Sequence, residues 1–156
     1  MKFTIEPELL LPFIISNAMA VLILWYSFRR PHLAQGFLAI LFFGSAGFNL
    51  YTSFANPAAY MSFATTTFSS FYKDLIRGFF SQHVTVMVSA IAVGQLFIAT
   101  SMLLENIRFR LGCIGGIIFG IAIAPLGVGS AFPSSLILSL SFLVLFLKKE
   151  TSQIPT

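Results

Sequence analysis

The chain has 156 residues, of which 57% are hydrophobic and only 9% are charged. Because soluble domains carry about a quarter charged residues, this composition excludes an ordinary soluble fold and predicts a membrane protein of one domain. The net charge of +4 rests on Lys and Arg residues that occur singly or in pairs, whereas nucleic-acid binding would need them clustered on one face.

The first apolar segment covers residues 9–28 without a charge. A helix needs about 20 such residues to cross a bilayer. A cleaved signal peptide is the alternative interpretation, but Glu6 and Glu8 stand where a signal peptide is basic. The run is also longer than the about 7–15 apolar residues of a signal-peptide core. We therefore expect a retained membrane span.

Two further uncharged segments, 33–54 and 84–104, are long enough to span a bilayer. The first three spans hold the amide side chains Asn17, Asn49 and Gln95, respectively, away from their first turns. Gln95 lies near the middle of its span, and Asn17 lies at a similar depth, which makes it the candidate partner. Amide side chains inside a membrane either tie helices together or contact a ligand.

Residues 57–78, between the second and third spans, carry apolar side chains at intervals of three and four. This spacing predicts one amphipathic helix, which Asn56 caps, Pro57 begins and Gly78 ends. We expect this helix in the headgroup layer, either as a lid that seals the bundle or as a gate over a cavity open to lipid. Its aromatic candidates are Tyr60, Phe68, Phe71, Tyr72 and Phe79.

The final apolar run, Leu111 to Leu147, has 37 residues without a charge. As one helix it would measure roughly 55 Å, against a hydrocarbon core of about 30 Å. The stretch APLGVGSAFPSS interrupts it with proline and glycine, so we predict two spans, 111–128 and 131–147, joined by a tight turn. The prediction is therefore a bundle of five spans.

A stripe of small residues follows one face of the fourth span. Its members recur every four residues: Gly112, Gly116, Gly120 and Ala124. Such a stripe lets another helix approach closely, either within the bundle or in another protein. We expect a contact within the bundle, with the Ala90 and Gly94 face of the third span as the candidate surface.

The basic residues between the spans predict the orientation, because cytoplasmic connectors are enriched in Lys and Arg. An external N-terminus and a cytoplasmic C-terminus put six of the nine basic residues inside, whereas the opposite arrangement puts three inside. We therefore predict that the N-terminus and residues 57–78 are external and that the C-terminus is cytoplasmic.

Residues suited to catalysis or metal binding are sparse. Cys113 is the only cysteine, and His32 and His83 are the two histidines, one at each predicted membrane face. One cysteine excludes an internal disulfide exchange, and two separated histidines do not form a metal site. His83, at the start of the third span, is a candidate contact for a quinone headgroup. We predict no catalytic residue, no metal and no bound cofactor.

Three stretches, LAILFFGSAGFNLYTSFANPAAYMSFA, AVGQLFIATSMLL and ENIRFRLG, together resemble the DoxX-like family of small bacterial membrane proteins. The resemblance covers residues 33–147 and leaves the first span as an addition. It implies a four-helix bundle with an interfacial segment after its first helix, in the bacterial inner membrane. Some members resemble the membrane subunit of a thiosulfate:quinone oxidoreductase, and others are partners of redox or maturation enzymes.

The chain departs from this family at two positions. Gln95 stands in VGQL where the family often has a glutamate, and the lysine that often precedes the outward proline is absent. A buried ionisable pair would have indicated a functional site. Its loss weakens proposals of proton coupling or of a charged substrate.

These observations favour a non-enzymatic accessory protein that lies in the bilayer and binds a membrane or membrane-associated protein partner. A membrane subunit of a quinone-linked oxidoreductase, with quinone as cofactor and electrons from a partner, is the alternative. A small-molecule or lipid transporter is the third candidate.

Overall fold

The computed structural model describes residues 7–127 and 132–151, and this part of the chain is almost entirely helical. The α-helices are α1 (Pro7–Arg29), α2 (Pro31–Ala55), α3 (Phe63–Thr66), α4 (Ser70–Leu75), α5 (Val84–Met102), α6 (Asn106–Ile123) and α7 (Ser134–Thr151). Two 3₁₀ segments, Pro57–Ser62 and Ala124–Leu126, and a π-helical segment, Ile76–Phe80, complete the described elements.

Within the described residues, four helices are long and apolar enough to cross a membrane: Leu10–Arg29, Pro31–Ala55, Val84–Met102 and Asn106–Leu126. They overlap the first four predicted spans, although the fourth helix begins at Asn106, five residues before the predicted start, and residue 128 lies outside the described part of the chain. The prediction of an all-α bundle with membrane-spanning helices is confirmed at this level.

The fifth predicted span, 131–147, falls on α7, which is not among those four helices. Residue 131 lies outside the described part of the chain, and Lys148 and Lys149 follow the apolar residues of α7. The uncharged part of α7 begins at Ser134 and would measure about 21 Å, which is shorter than a hydrocarbon core of about 30 Å. A fifth crossing therefore stays a prediction.

The long helices close into a ring. α1 packs against α2, α2 against α5, α5 against α6, α6 against α7, and α7 against α1. A hydrogen bond from the Lys148 ammonium to the Phe28 carbonyl joins the ends of α7 and α1, so these two helices run parallel. The first helix is thus an integral wall of the bundle.

The apolar core lies toward the end of the ring at which α1, α5 and α7 end and α2 and α6 begin. Phe109 and Phe142 are fully buried there. The rings of Phe142 and Phe42 pack edge to face, with their centroids 5.5 Å apart. The core cluster contains Ile23, Ala34, Leu38, Ala39, Phe42, Ile98, Ala99, Met102, Phe109, Cys113, Phe142 and Leu145. Cys113 is therefore a packing residue.

The outer surface of the ring is apolar as well. Ile40 is 71% exposed, Tyr51 is 74% exposed and Val86 is 70% exposed, and these residues lie on helices that qualify as membrane spans. Large apolar side chains on every side of a bundle would be unfavourable in water, but they suit a bilayer.

The small-residue stripe faces the interior of the bundle, as predicted, but its expected partner surface is wrong. A Cβ atom on Gly116 would lie 2.5 Å from Cδ2 of Phe142, and one on Gly120 would lie 2.6 Å from the Ser135 carbonyl oxygen. α7 is therefore the main partner, and Gly112 at the other end of the stripe packs against Met102. The buried Ala124 continues the stripe.

The Ala90 and Gly94 face points away from α6. Both residues are exposed, and a Cβ on Gly94 would meet nothing within 4 Å. The sequence shows that a helix has a small-residue face, but not which neighbour the rotation of each helix brings to that face.

The predicted single helix over residues 57–78 is also wrong. The structure divides it into the 3₁₀ segment Pro57–Ser62, then α3 and α4 with an extended Thr67 between them, and a π-helical segment. The break follows three consecutive threonines, whose hydroxyls bond to backbone carbonyls and compete with a regular helix. Asn56 forms no side-chain cap, although Pro57 does begin the segment.

The predicted apolar face of this segment splits for the same reason. Phe68, Phe71 and Phe79 are exposed, whereas Ala64 and Ile76 are buried. Gly78 has non-helical φ and ψ angles inside the π-helical segment, where the predicted helix was expected to end.

Candidate functional site

Three polar side chains form a hydrogen-bonded cluster between α2, α5 and the 3₁₀ segment that follows α2. The Asn49 amide nitrogen donates to Oε1 of Gln95 at 2.8 Å. The Tyr60 hydroxyl donates to Oδ1 of Asn49 at 3.0 Å. We call Asn49, Gln95 and Tyr60 the amide cluster.

Small neighbours on the two helices make room for this cluster. Ala46 lies one turn before Asn49, and Ala92 lies one turn before Gln95, and both alanines are fully buried. With small side chains at the contact, the helices come close enough for two short amides to meet directly. The antiparallel packing of α2 against α5 therefore places Asn49 directly opposite Gln95.

Tyr60 reaches the cluster because the chain turns back at Pro57 into a 3₁₀ segment over the end of α2. Its hydroxyl also lies 3.3 Å from the Asn49 carbonyl oxygen. Burial raises the pKa of the Tyr60 hydroxyl, and a smaller opposing effect comes from a hydrogen bond with Thr52. The phenol is therefore protonated at neutral pH and acts as a hydrogen-bond donor.

Gln95 retains one unused polar group. The residue is 4% exposed, and its amide nitrogen donates to no residue in the described part of the chain. A primary amide offers two N–H donors. Gln95 therefore has two N–H donors that could bond to further acceptors, such as a carbonyl oxygen.

A second group of hydrogen bonds fastens the outer segment (residues 57–80) to the end of α6. The hydroxyls of Thr67 and Thr66 donate to the carbonyls of Pro125 and Leu126, the second at 3.0 Å. The Tyr72 hydroxyl donates to the Ala122 carbonyl at 2.6 Å. The last carbonyls of a helix have no hydrogen-bond donor within that helix. The three hydroxyls therefore donate to carbonyls at the end of α6 that would otherwise be unpaired.

Gly127 allows this close approach. It adopts a φ of 101°, and a Cβ atom there would collide with the Thr66 carbonyl. Sequence reasoning identified Gly127 only as a helix breaker and missed Thr66 and Thr67 altogether. The signal was the run of three threonines in an otherwise apolar segment, but their partners lie about 60 residues away.

Asn17 does not pair with Gln95, so that expectation is wrong. Its amide nitrogen donates to the Phe13 carbonyl of its own helix at 2.8 Å. Its Oδ1 atom is buried and has no hydrogen-bond partner among the described residues. The two amides are separated because α1 packs against α2 and α7, whereas α5 packs against α2 and α6.

The remaining candidates lie apart from the cluster. His83 stacks on Phe79 at 4.5 Å, its Nδ1 lies 3.0 Å from the Phe79 carbonyl oxygen, and it forms no hydrogen bond with the amide cluster. His32, at the start of α2, lies at the opposite end of the bundle. Among the described residues, no three His, Cys, Asp or Glu side chains gather into a metal-binding group.

Comparisons of this chain with protein families, with curated proteins and with solved structures give no match. The class is therefore defined by the structure itself. The described residues form an all-α bundle whose four apolar helices of spanning length indicate a membrane protein, with the amide cluster between α2, α5 and the segment that carries Tyr60.

Proposed function

We propose that this chain is a non-enzymatic accessory membrane protein that binds a membrane-spanning helix of a partner protein. The observation that carries the proposal is an unpartnered seam on α1. The outward face of α1 is broadly exposed, and along its middle Leu11, Ile14, Ala18, Val21 and Trp25 follow one another at intervals of three and four. This spacing is typical of helices that pack side by side in left-handed pairs.

One further feature supports a protein partner for this face. Ala18 places a small side chain in the middle of the seam, where a second helix would approach most closely. The amide cluster supports an accessory role, because its members bond chiefly to one another.

The resemblance to DoxX-like proteins supports the same proposal, because some members are partners of redox or maturation enzymes. In that family the first span of this chain has no counterpart. A partner surface on α1 would then be the feature that distinguishes this chain.

Site-specific photo-cross-linking in native membranes tests the proposal. A photo-reactive residue at Val21, on the seam, should give one discrete protein adduct. The same residue at Val93, which is 63% exposed on α5, should react with lipid alone. Lipid adducts alone at Val21 would contradict the proposal.

A matched pair of substitutions shows whether the adduct depends on close helix packing. Ala18→Leu should abolish the Val21 adduct because it fills the point of closest approach. Ala90→Leu makes the same change on an exposed position of α5 and should leave the adduct intact. Equal yields of the adduct in both variants would contradict a helix-packed partner.

A quinone-binding subunit is the second candidate, and the unused amide nitrogen of Gln95 favours it. The Gln95 amide N–H can donate a hydrogen bond to a quinone carbonyl oxygen. If it binds quinone, Gln95→Leu should fold normally yet lose a quinone that co-purifies with the wild type. Gln95→Glu should fold less well, because a carboxylate at this depth costs a few kcal/mol or takes up a proton. Equal quinone content in wild type and Gln95→Leu would remove this candidate.

A further inference from the structure

The turn between α1 and α2 forms a surface hollow whose lining includes both arginine and aromatic side chains. Its volume is about 600 Å³, and it is lined by Trp25, Tyr26, Arg29, Arg30 and Leu33. The hollow lies at the end of the bundle that also holds the C-terminus of α7. We propose that it binds the phosphate headgroup of an anionic phospholipid, and this inference rests on the membrane placement of the bundle but not on the α1 partner.

The two arginines are free to bind an anion. Both are exposed, and neither forms an ion pair or side-chain hydrogen bond with another described residue. The Phe28 carbonyl near the end of α1 is occupied by Lys148 instead, which adds a third cation close to the hollow. Guanidinium groups bind phosphate through paired N–H donors, so two adjacent arginines suit a lipid phosphodiester.

The N-terminus of α2 adds to the positive electrostatic potential at the hollow. Arg30 is the N-cap residue of this 25-residue helix and gives no side-chain cap, and the first turn holds no acidic residue. The positive end of the helix dipole is therefore not neutralised by its own sequence. A bound phosphate would supply the missing negative charge.

The walls of the hollow favour a lipid over free phosphate. Leu33 is 49% exposed on the α2 side of the hollow, so an acyl chain would cover apolar surface beside the headgroup without using the α1 seam. Tyr26 is held between the rings of Trp25, at 4.9 Å, and Phe37, at 5.4 Å. Trp and Tyr beside basic residues are typical of the level at which a helix meets the headgroups.

Lipid retention by the purified protein tests this site. The wild type in mild detergent is given equal amounts of phosphatidylglycerol and phosphatidylcholine with identical acyl chains, and bound lipid is counted by native mass spectrometry. We expect preferential retention of phosphatidylglycerol. Arg29→Gln/Arg30→Gln should reduce that preference about thirtyfold, or about fivefold for each charge removed.

A second double variant provides the control. Lys73→Gln/Arg77→Gln removes the same net charge from the opposite end of the bundle and should keep the preference. An equal loss in both variants would show diffuse attraction and would overturn the site. Thermal unfolding of each variant in the same detergent separates lost binding from lost folding, and the single variants Arg29→Lys and Arg30→Lys provide the comparison if the double variant unfolds.

Inorganic phosphate distinguishes the two sources of a phosphate group. Added at millimolar concentration, it should leave phosphatidylglycerol bound, because it contributes no acyl chain to the apolar walls. Displacement of the lipid by inorganic phosphate would overturn the assignment to a phospholipid. Failure of the Val21 cross-link would leave the lipid result unchanged, so the two proposals are tested separately.

Discussion

At the residue scale, the bond between Asn49 and Gln95 lies between two apolar helices that offer no other side-chain partner for either amide. Loss of Asn49 therefore leaves Gln95 unpaired, and loss of Gln95 leaves Asn49 bonded only to Tyr60, whereas loss of both leaves an apolar contact between the helices. The loss of stability caused by a single substitution therefore depends on which side chain is left without a hydrogen-bond partner.

Gln95→Leu and Asn49→Leu should each lower the free energy of unfolding by about 1 kcal/mol. The double variant Asn49→Leu/Gln95→Leu should cost less than the sum of the two, because neither amide is left without its partner. Equilibrium unfolding in detergent of the four proteins in this cycle measures the coupling. Strictly additive effects would show that the hydrogen bond contributes nothing to stability.

The glycines of α6 are required by contact with α7, whereas Gly94 of α5 faces open space. Gly120→Ala should therefore destabilise the protein by about 1–3 kcal/mol, since the new methyl group would collide with the Ser135 carbonyl. Gly94→Ala is the matched control and should be neutral or slightly stabilising, because alanine favours a helix by about 1 kcal/mol. Melting temperatures in one detergent compare the two. Equal changes in melting temperature for the two variants would indicate that the glycine stripe faces lipid and not α7.

At the element scale, the outer segment is held by its ends and by three side-chain donors. Thr66, Thr67 and Tyr72 bind carbonyls at the end of α6, which is where a helix needs external partners. These bonds favour the interpretation of the segment as a lid. They also explain its irregular backbone, because extended geometry at Thr67 turns that hydroxyl toward α6.

Thr67→Val should loosen the outer segment without disturbing the rest of the bundle. It keeps the shape of the side chain but removes the donor to Pro125, together with a longer bond accepted from the Ser69 N–H, so amide hydrogen exchange in residues 57–80 should accelerate about fivefold. Thr65→Val is the control, since the Thr65 hydroxyl bonds only to Ser62 within the same segment. Unchanged exchange in Thr67→Val would show that this bond does not hold the lid.

At the scale of the whole molecule, the ring places the basic residues at two ends in unequal numbers. One end carries Arg29 and Arg30 between α1 and α2, Arg108 and Arg110 at the start of α6, and Lys148 and Lys149 in the last turn of α7. Lys73 and Arg77 lie in the outer segment at the opposite end. Because cytoplasmic loops are enriched in Lys and Arg, the first end is expected to face the cytoplasm.

Cysteine labelling in intact cells tests this orientation. In a Cys113→Ala background, cysteines at His32 and Glu105 should resist an impermeant thiol reagent, whereas one at Ser70 should react. All three positions are exposed in the structure. Glu105 is preferred to Asn106, because Asn106 has a φ of 57° that few other residues adopt. Reaction at the first two positions with protection at Ser70 would reverse the topology.

The sequence by itself predicted the class of this protein, an all-α bundle with apolar helices long enough to span a membrane. Hydropathy over about 20 residues is a local property, and a bilayer imposes a fixed length on each helix. That Gly116 and Gly120 share one face of their helix was also predictable, because their spacing follows from helix geometry alone.

Only the tertiary structure decided which side chains meet. Asn49 rather than Asn17 pairs with Gln95, and α7 rather than α5 covers most of the glycine stripe. These pairings depend on the order of helices around the ring and on the rotation of each about its axis, which a uniformly apolar sequence specifies weakly. The broken outer segment has the same origin, because the donors that interrupt its helix bind carbonyls that folding alone brings within reach.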